Sequence, residues 1–153
     1  MRNDKLSIES MDFAISIVNL VKNLKEKRES IISNQIGRSG TSIGANIREA
    51  QYAHSKADFI SKLQIALKEA NETGYWLELL YKTNYISEQE YKAYDRGCTS
   101  IRVTLIASIS TAKEKEKRKS LLKQKSIYLR HQVKLLYLYK SITMMTKIQL
   151  TLF

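Results

Sequence analysis

A chain of 153 residues is about one domain, large enough to bury a core without disulfides or metals. It has no proline, five glycines and one cysteine, which argues against a turn-rich sheet protein and excludes an intramolecular disulfide framework. The net charge of +11 suggests a nucleic-acid partner, but residues 1–116 hold 17 basic against 15 acidic side chains, while residues 117–153 hold 9 basic and no acidic ones. The basic character therefore belongs mainly to the C-terminal tail. The N-terminal MRNDKLSIES lacks the apolar core of a signal peptide, and no run of about 18 uncharged apolar residues is present. With its lone Cys98, the chain is expected to be cytoplasmic, with no membrane partner.

The first predicted helix spans Ile8 to Lys25. Phe13, Ile17, Leu20 and Leu24 make one stripe, and Met11, Ile15, Val18 and Val21 make a second beside it, a breadth that suggests two neighbours. Lys25 to Arg28 is the expected turn. Helix two is predicted from Glu29 to His54 and carries Gly37, Gly40 and Gly44, each costing about 1 kcal/mol against alanine inside a helix. Ser33, Gly37, Gly40 and Gly44 share one face, next to Ile32, Ile36, Ile43, Ile47 and Ala50. A smooth strip beside an apolar strip suits a helix that another backbone approaches closely.

Helix three opens on Ser55-Lys56-Ala57-Asp58, a capping-box spacing, and its expected seam is Ile60, Leu63, Leu67, Ala70, Gly74, Leu77 and Tyr81. Asn84 is the expected left-handed cap at its end. Helix four begins with the box Ser87-Glu88-Gln89-Glu90, with Ile86 and Tyr91 as a hydrophobic staple. Its expected seam is Tyr91, Tyr94, Cys98, Ile101, Leu105, Ile109 and Ala112, with Gly97 permitting close approach, and it is expected to dissolve in the charged run Lys113 to Lys119. Four amphipathic helices with short connections predict an all-α, antiparallel up-down-up-down four-helix bundle over residues 1–116, with an atypical basic extension over residues 117–153.

That extension has no Asp, Glu, Gly or Ala, and Val133 is its sole residue of a type encoded by codons that begin with G. Such composition suits a shifted or normally untranslated frame of an A/T-rich gene; the alternative is a basic amphipathic extension. Within it, Val133 to Tyr139, VKLLYLY, reads as strand-like and aggregation-prone.

Few motifs point to chemistry. Gly37-Arg38-Ser39-Gly40 matches the G-x-x-G of KH domains, but no flanking strands are readable, so helix packing by Gly37, Gly40, Gly44, Ile43, Ile47 and Gly74 is the preferred reading. Cys98 lies on a seam without a His or acidic partner and reads as a core thiol. His54 and His131 belong to no zinc motif, and Glu49 and Glu72 lack the E-x-x-H pairs of a di-metal bundle. No metal, cofactor or small-molecule substrate is expected, and no enzymatic activity. Arg38, Arg48, Lys56, Lys62 and Lys68 form a modest basic series on helices two and three, and ring symmetry would multiply it into a large positive field.

The run RSGTSIGANIREA (Arg38 to Ala50), followed by KADFISKLQIALKEANETGYWLELL (Lys56 to Leu80), resembles the 23S rRNA intervening-sequence family of bacterial four-helix bundle proteins. That family includes the accessory variability determinant of diversity-generating retroelements. The resemblance spans about Ser10 to Lys115 and implies an antiparallel bundle that assembles as a homopentamer. It also implies a non-enzymatic role with RNA or DNA and, in the retroelement branch, with a reverse transcriptase. The expected function is an oligomeric nucleic-acid-binding adaptor linked to an rRNA intervening sequence or a retroelement; the alternative is a protein-interaction scaffold with no direct nucleic-acid role.

Overall fold

The computed structural model describes residues 5–151, with side chains through residue 145. Met1 to Asp4, and Leu152 and Phe153 at the end of the basic tail, lie outside the described residues. Four helices follow one another: α1 (Lys5–Glu26), α2 (Ile31–Ala50), α3 (Lys56–Lys82) and α4 (Glu88–Thr151). The chain divides into two compact units, one ending at Lys113 and the other starting at Glu114. The first unit is the four-helix bundle; the second is the remainder of α4.

Local signals set the helix ends. Ser55 Oγ accepts the Asp58 amide at 3.1 Å, while the Asp58 carboxylate accepts the His54 amide, also at 3.1 Å. Ser87 and Glu90 form the full reciprocal box, with the Ser87 amide donating to Glu90 Oε2 at 2.7 Å and the Glu90 amide to Ser87 Oγ at 3.3 Å. Asn84 has φ 61°, and the Asn84→Tyr81 and Tyr85→Leu80 backbone bonds close a Schellman turn around it. Arg28 does the same after α1, with φ 61° and bonds Arg28→Lys25 and Glu29→Leu24. Helix α2 is shorter than the expected Glu29 to His54 at both ends: Ser30 is its N-cap, without a side-chain bond of its own, and Gln51 is its C-cap. The buried Glu29 carboxylate accepts the Ile32 and Ser33 amides at 2.8 and 2.7 Å, answering two otherwise orphaned donors at the positive end of the helix dipole.

The antiparallel packing of α1 on α2 follows from the glycine strip. A Cβ placed on Gly37 would lie 3.2 Å from Val21 Cγ2, one on Gly40 only 2.8 Å from Ile17 Cγ2, and one on Gly44 3.4 Å from the Ser10 carbonyl oxygen. As the number rises along α2 it falls along α1, and the surface that receives this strip belongs to the same protomer. On its other flank α1 sets the Phe13 ring against Gly97 of α4, where an added Cβ would meet Cδ2 at 3.1 Å. Helix α3 joins α2 through a buried Ser39–Thr73 hydroxyl pair at 3.0 Å, and it joins α4 through the Cys98 thiol, which donates to the Ala70 carbonyl at 3.2 Å. Stacked Tyr81 and Tyr91 rings, 5.0 Å apart, close the α3–α4 end. Each helix thus touches both of its ring neighbours.

The core is built from Phe13, Ile17, Leu20 and Leu24 of α1, Ile36, Ile43, Ile47 and Ala50 of α2, and the Cys98-to-Ala112 seam of α4, all as expected. In α3 the seam is shifted. Leu63, Ala66, Ala70, Thr73, Leu77 and Leu80 are buried, whereas Ile60, Leu67, Gly74 and Tyr81 are half-buried at the flank. Thr73 is accommodated there because its hydroxyl meets Ser39 of α2 and the Glu69 carbonyl of its own helix.

Two expectations about the tail are overturned. The charged run Lys113 to Lys119 does not end α4, and Val133 to Tyr139 is helix and not strand, since α4 runs unbroken to Thr151. The run KEKEKRK consists of good helix formers without glycine or proline, and an existing helix propagates without paying again for nucleation.

Three outcomes follow from this packing. Gly40→Ala should lower unfolding stability in urea by about 1–3 kcal/mol through overpacking against Ile17. Gly74→Ala should raise it by about 0.5–1 kcal/mol, since the new Cβ would meet nothing closer than Arg102 Nη1 at 3.7 Å. Glu29→Ala, which removes both capping bonds, should cost about 1–2 kcal/mol in the same measurement.

Burial pushes the Cys98 thiol up to about 11, with the Arg102 cation opposing that rise and the Asp95 carboxylate adding to it. Because the folded value lies above the unfolded one, the thiol's contribution to stability is complete below pH 9 and is lost as pH rises from 9 through about 11. A disulfide reagent at pH 8 should therefore label Cys98 at the rate of unfolding in native protein and at once in denaturant. Fast labelling of the native protein would contradict its placement in the core.

Candidate nucleic-acid interface

The five expected basic residues lie on two neighbouring helices, Arg38 and Arg48 on α2 and Lys56, Lys62 and Lys68 on α3. Their surroundings differ. Arg38 forms an ion pair with Glu72 and lies 3.8 Å from Glu69 Oε2, and the Trp76 indole donates to the same Glu72 carboxylate at 3.3 Å. Lys62 donates to Glu49 Oε2 at 2.5 Å, and this hydrogen bond, with the charge of Glu49, holds the ammonium above its ordinary range. Lys56 sits over the Phe59 ring with Nζ 4.4 Å from its centroid. Arg48 and Lys68 are exposed and have no carboxylate within ion-pair distance among the described residues.

Proximity of α2 to α3 is thus what pairs two of the five cations with carboxylates. Glu49, Glu69 and Glu72 face the cations across the helix pair, as the antiparallel register dictates. The same pairing engages Glu49 and Glu72, the two carboxylates considered for a metal site. The cations left to meet an anion are Arg48, Lys56 and Lys68. Arg48 also borders a cleft between α1 and α2, about 470 Å³ in volume, with Ser7, Met11, Thr41 and Gly44 among its walls.

A second surface does not show in the charge pattern. Ile8, Met11, Ile15 and Val18 of α1 are each between 41% and 53% exposed. Their spacing of three, four and three residues places them on one face in coiled-coil register. The sequence signal is the breadth of α1: one stripe fills the bundle, Val21 packs on Gly37, and the other members of the second stripe are left at the surface.

Comparison with known proteins fits this architecture. A family description, 23S rRNA-intervening sequence protein, matches residues 3–107. The solved structure of a protein of unknown function from the S23 ribosomal protein family of Bacteroides thetaiotaomicron is 56% identical, with a TM-score of 0.67, covering 68% of this chain and 97% of that one. No curated protein matches the sequence. With the family pattern spanning the glycine helix, both capping boxes and most of the α4 seam, the chain belongs to the 23S rRNA-intervening sequence protein family.

Proposed function

We propose that this protein is a non-enzymatic, self-associating bundle that acts as a nucleic-acid adaptor. The observation that carries the reading is the α1 row Ile8, Met11, Ile15 and Val18, an apolar seam in coiled-coil register that its own bundle leaves about half exposed. Covering that row with a second copy removes the still exposed half of four large side chains from water, about 1 kcal/mol each. The resemblance to homopentameric bundles supports five copies as the assembly. Repetition around an axis would turn Arg48, Lys56 and Lys68 into a ring of cations, and the family's description ties its members to ribosomal RNA intervening sequences. A cytoplasmic location agrees with this role. The absence of enzymatic activity is supported by a buried, protonated Cys98 and by carboxylates engaged with Arg38 and Lys62.

A second reading, a scaffold for a protein partner with no nucleic-acid role, is favoured by one observation: Arg38 and Lys62 are already paired with carboxylates on the bundle.

Light scattering of the full chain at micromolar concentration should give an oligomeric mass. Ile15→Glu should shift it toward the protomer, weakening each interface by ~2 kcal/mol, while leaving the thermal melt of the bundle in place. A monomeric parent would overturn the self-association. For the RNA arm, retention of a single-stranded RNA should fall steeply with salt. Arg48→Gln/Lys68→Gln should flatten that dependence by about 0.7 in log–log slope for each phosphate that the variant no longer neutralises. An unchanged slope would transfer the weight to the scaffold reading.

A further inference from the structure

We propose that the α4 segment from Lys119 to Met145 binds the surface of an anionic lipid bilayer, lying in its plane. The inference rests on this segment alone and is independent of the nucleic-acid reading. At about 100° per residue, Leu121, Leu122, Tyr128, Leu129 and Val133 fall within an arc of about 140° that also takes in Gln132, and Lys119, Lys123, Arg130 and Lys134 fall within about 60° centred about 140° away, with Ile127 at its edge. Lys125 lies inside the apolar arc, where its methylene stem can run along the stripe with the ammonium at the headgroups. The next turn, Leu135 to Tyr139, is apolar on every side and 49% to 71% exposed.

The occupant follows from charge and apolarity taken together. Residues 117–153 carry no Asp or Glu, so a second copy of the segment would bring like charges together without a single compensating carboxylate. A nucleic acid would satisfy the cations but leave Leu121, Leu122, Leu129, Val133 and the Leu135–Tyr139 turn in water. An anionic bilayer satisfies both, with headgroups meeting Lys and Arg and the acyl boundary taking up leucine and tyrosine. No helix of the described residues is long and apolar enough to cross a membrane, so the association is interfacial. It departs from the sequence-based expectation of no membrane partner, which considers spanning helices only.

The test is flotation of the full chain with phosphatidylcholine vesicles containing or lacking about 30% phosphatidylserine. The protein should float with the anionic vesicles and stay behind with the neutral ones. Leu129→Gln/Val133→Gln, which leaves the charge unchanged, should abolish flotation, and Lys123→Gln/Arg130→Gln should weaken it roughly fivefold for each charge removed. The bundle's thermal melt should be the same in all variants, because these four side chains are exposed. Absence of flotation, equal flotation on neutral vesicles, or a glutamine pair at 129 and 133 that floats like the parent would each overturn the proposal. It is likewise overturned if the vesicles are not bound and the segment instead serves another partner. RNA retention that depends on Lys123 and Arg130 but not on Leu129 would identify a nucleic acid, and a solution mass that drops with Leu129→Gln/Val133→Gln would identify a second copy.

Discussion

The packing of Ile17 into Gly40 is the constraint from which the rest of the bundle can be derived. A helix that accepts three glycines gives up about 3 kcal/mol of propensity, so the compensation has to come from contact. It comes from α1, whose Val21, Ile17 and Ser10 meet Gly37, Gly40 and Gly44 in turn. Because α1 is drawn so close to α2, its stripe of Phe13, Ile17, Leu20 and Leu24 is directed inward, and Phe13 reaches Gly97 on the far side. The same rotation leaves Ile8, Met11, Ile15 and Val18 outside. One close approach therefore fixes both what α1 contributes to the core and what it presents to a neighbour.

Polar contacts then select the register that apolar packing leaves open. Sliding α3 along α2 by one turn would separate Ser39 from Thr73 and forfeit that bond, about 1 kcal/mol, while each hydroxyl could keep the carbonyl of its own helix, Ile36 for Ser39 and Glu69 for Thr73. The Cys98 thiol against the Ala70 carbonyl does the same for α3 and α4, more weakly. Lys27, whose ammonium donates to the Tyr85 carbonyl at 2.8 Å, ties the α1 end to the α3–α4 connection. These bonds are few, and each joins a different pair of elements.

Much of this is legible in the sequence wherever the signal is local. The glycine strip, the Ser55 and Ser87 boxes, the Asn84 cap and three of the four seams are patterns within one helix or its ends. In the α3 seam Leu63, Ala70 and Leu77 are buried as expected. Ala66, Thr73 and Leu80 replace Leu67, Gly74 and Tyr81, which lie one position later, because Ala66 and Thr73 carry little apolar weight in the sequence. The burial of Thr73 goes with its bond to Ser39, which exists only once α2 and α3 are paired. Arg28 gives no sign of its left-handed backbone, since nothing in Lys25 to Arg28 marks one residue as the turn. The length of α4 escapes prediction for the opposite reason: a run of charges looks like an end, although it contains no residue that breaks a helix. At the candidate interface, the five cations are visible in the sequence but their carboxylate partners are not, because Arg38–Glu72 and Lys62–Glu49 exist only once α2 and α3 are paired.

That pairing changes what the charge of the molecule means. On the bundle, an incoming phosphate would have to compete with Glu72 for Arg38 and with Glu49 for Lys62, and would meet the negative charge of those carboxylates as it did so. Exposed ion pairs of this kind are individually weak, about 0–1 kcal/mol, yet a displaced carboxylate left facing the ligand would penalise binding further. Of the five cations, Arg48, Lys56 and Lys68 are the ones with no carboxylate at ion-pair distance among the described residues. The tail obeys the opposite logic: beyond Lys119 its cations have no carboxylate near them in sequence, and its large apolar side chains through Met145 are exposed. The nearly neutral bundle thus carries little field of its own, whereas the basic segment of α4 carries a strong one.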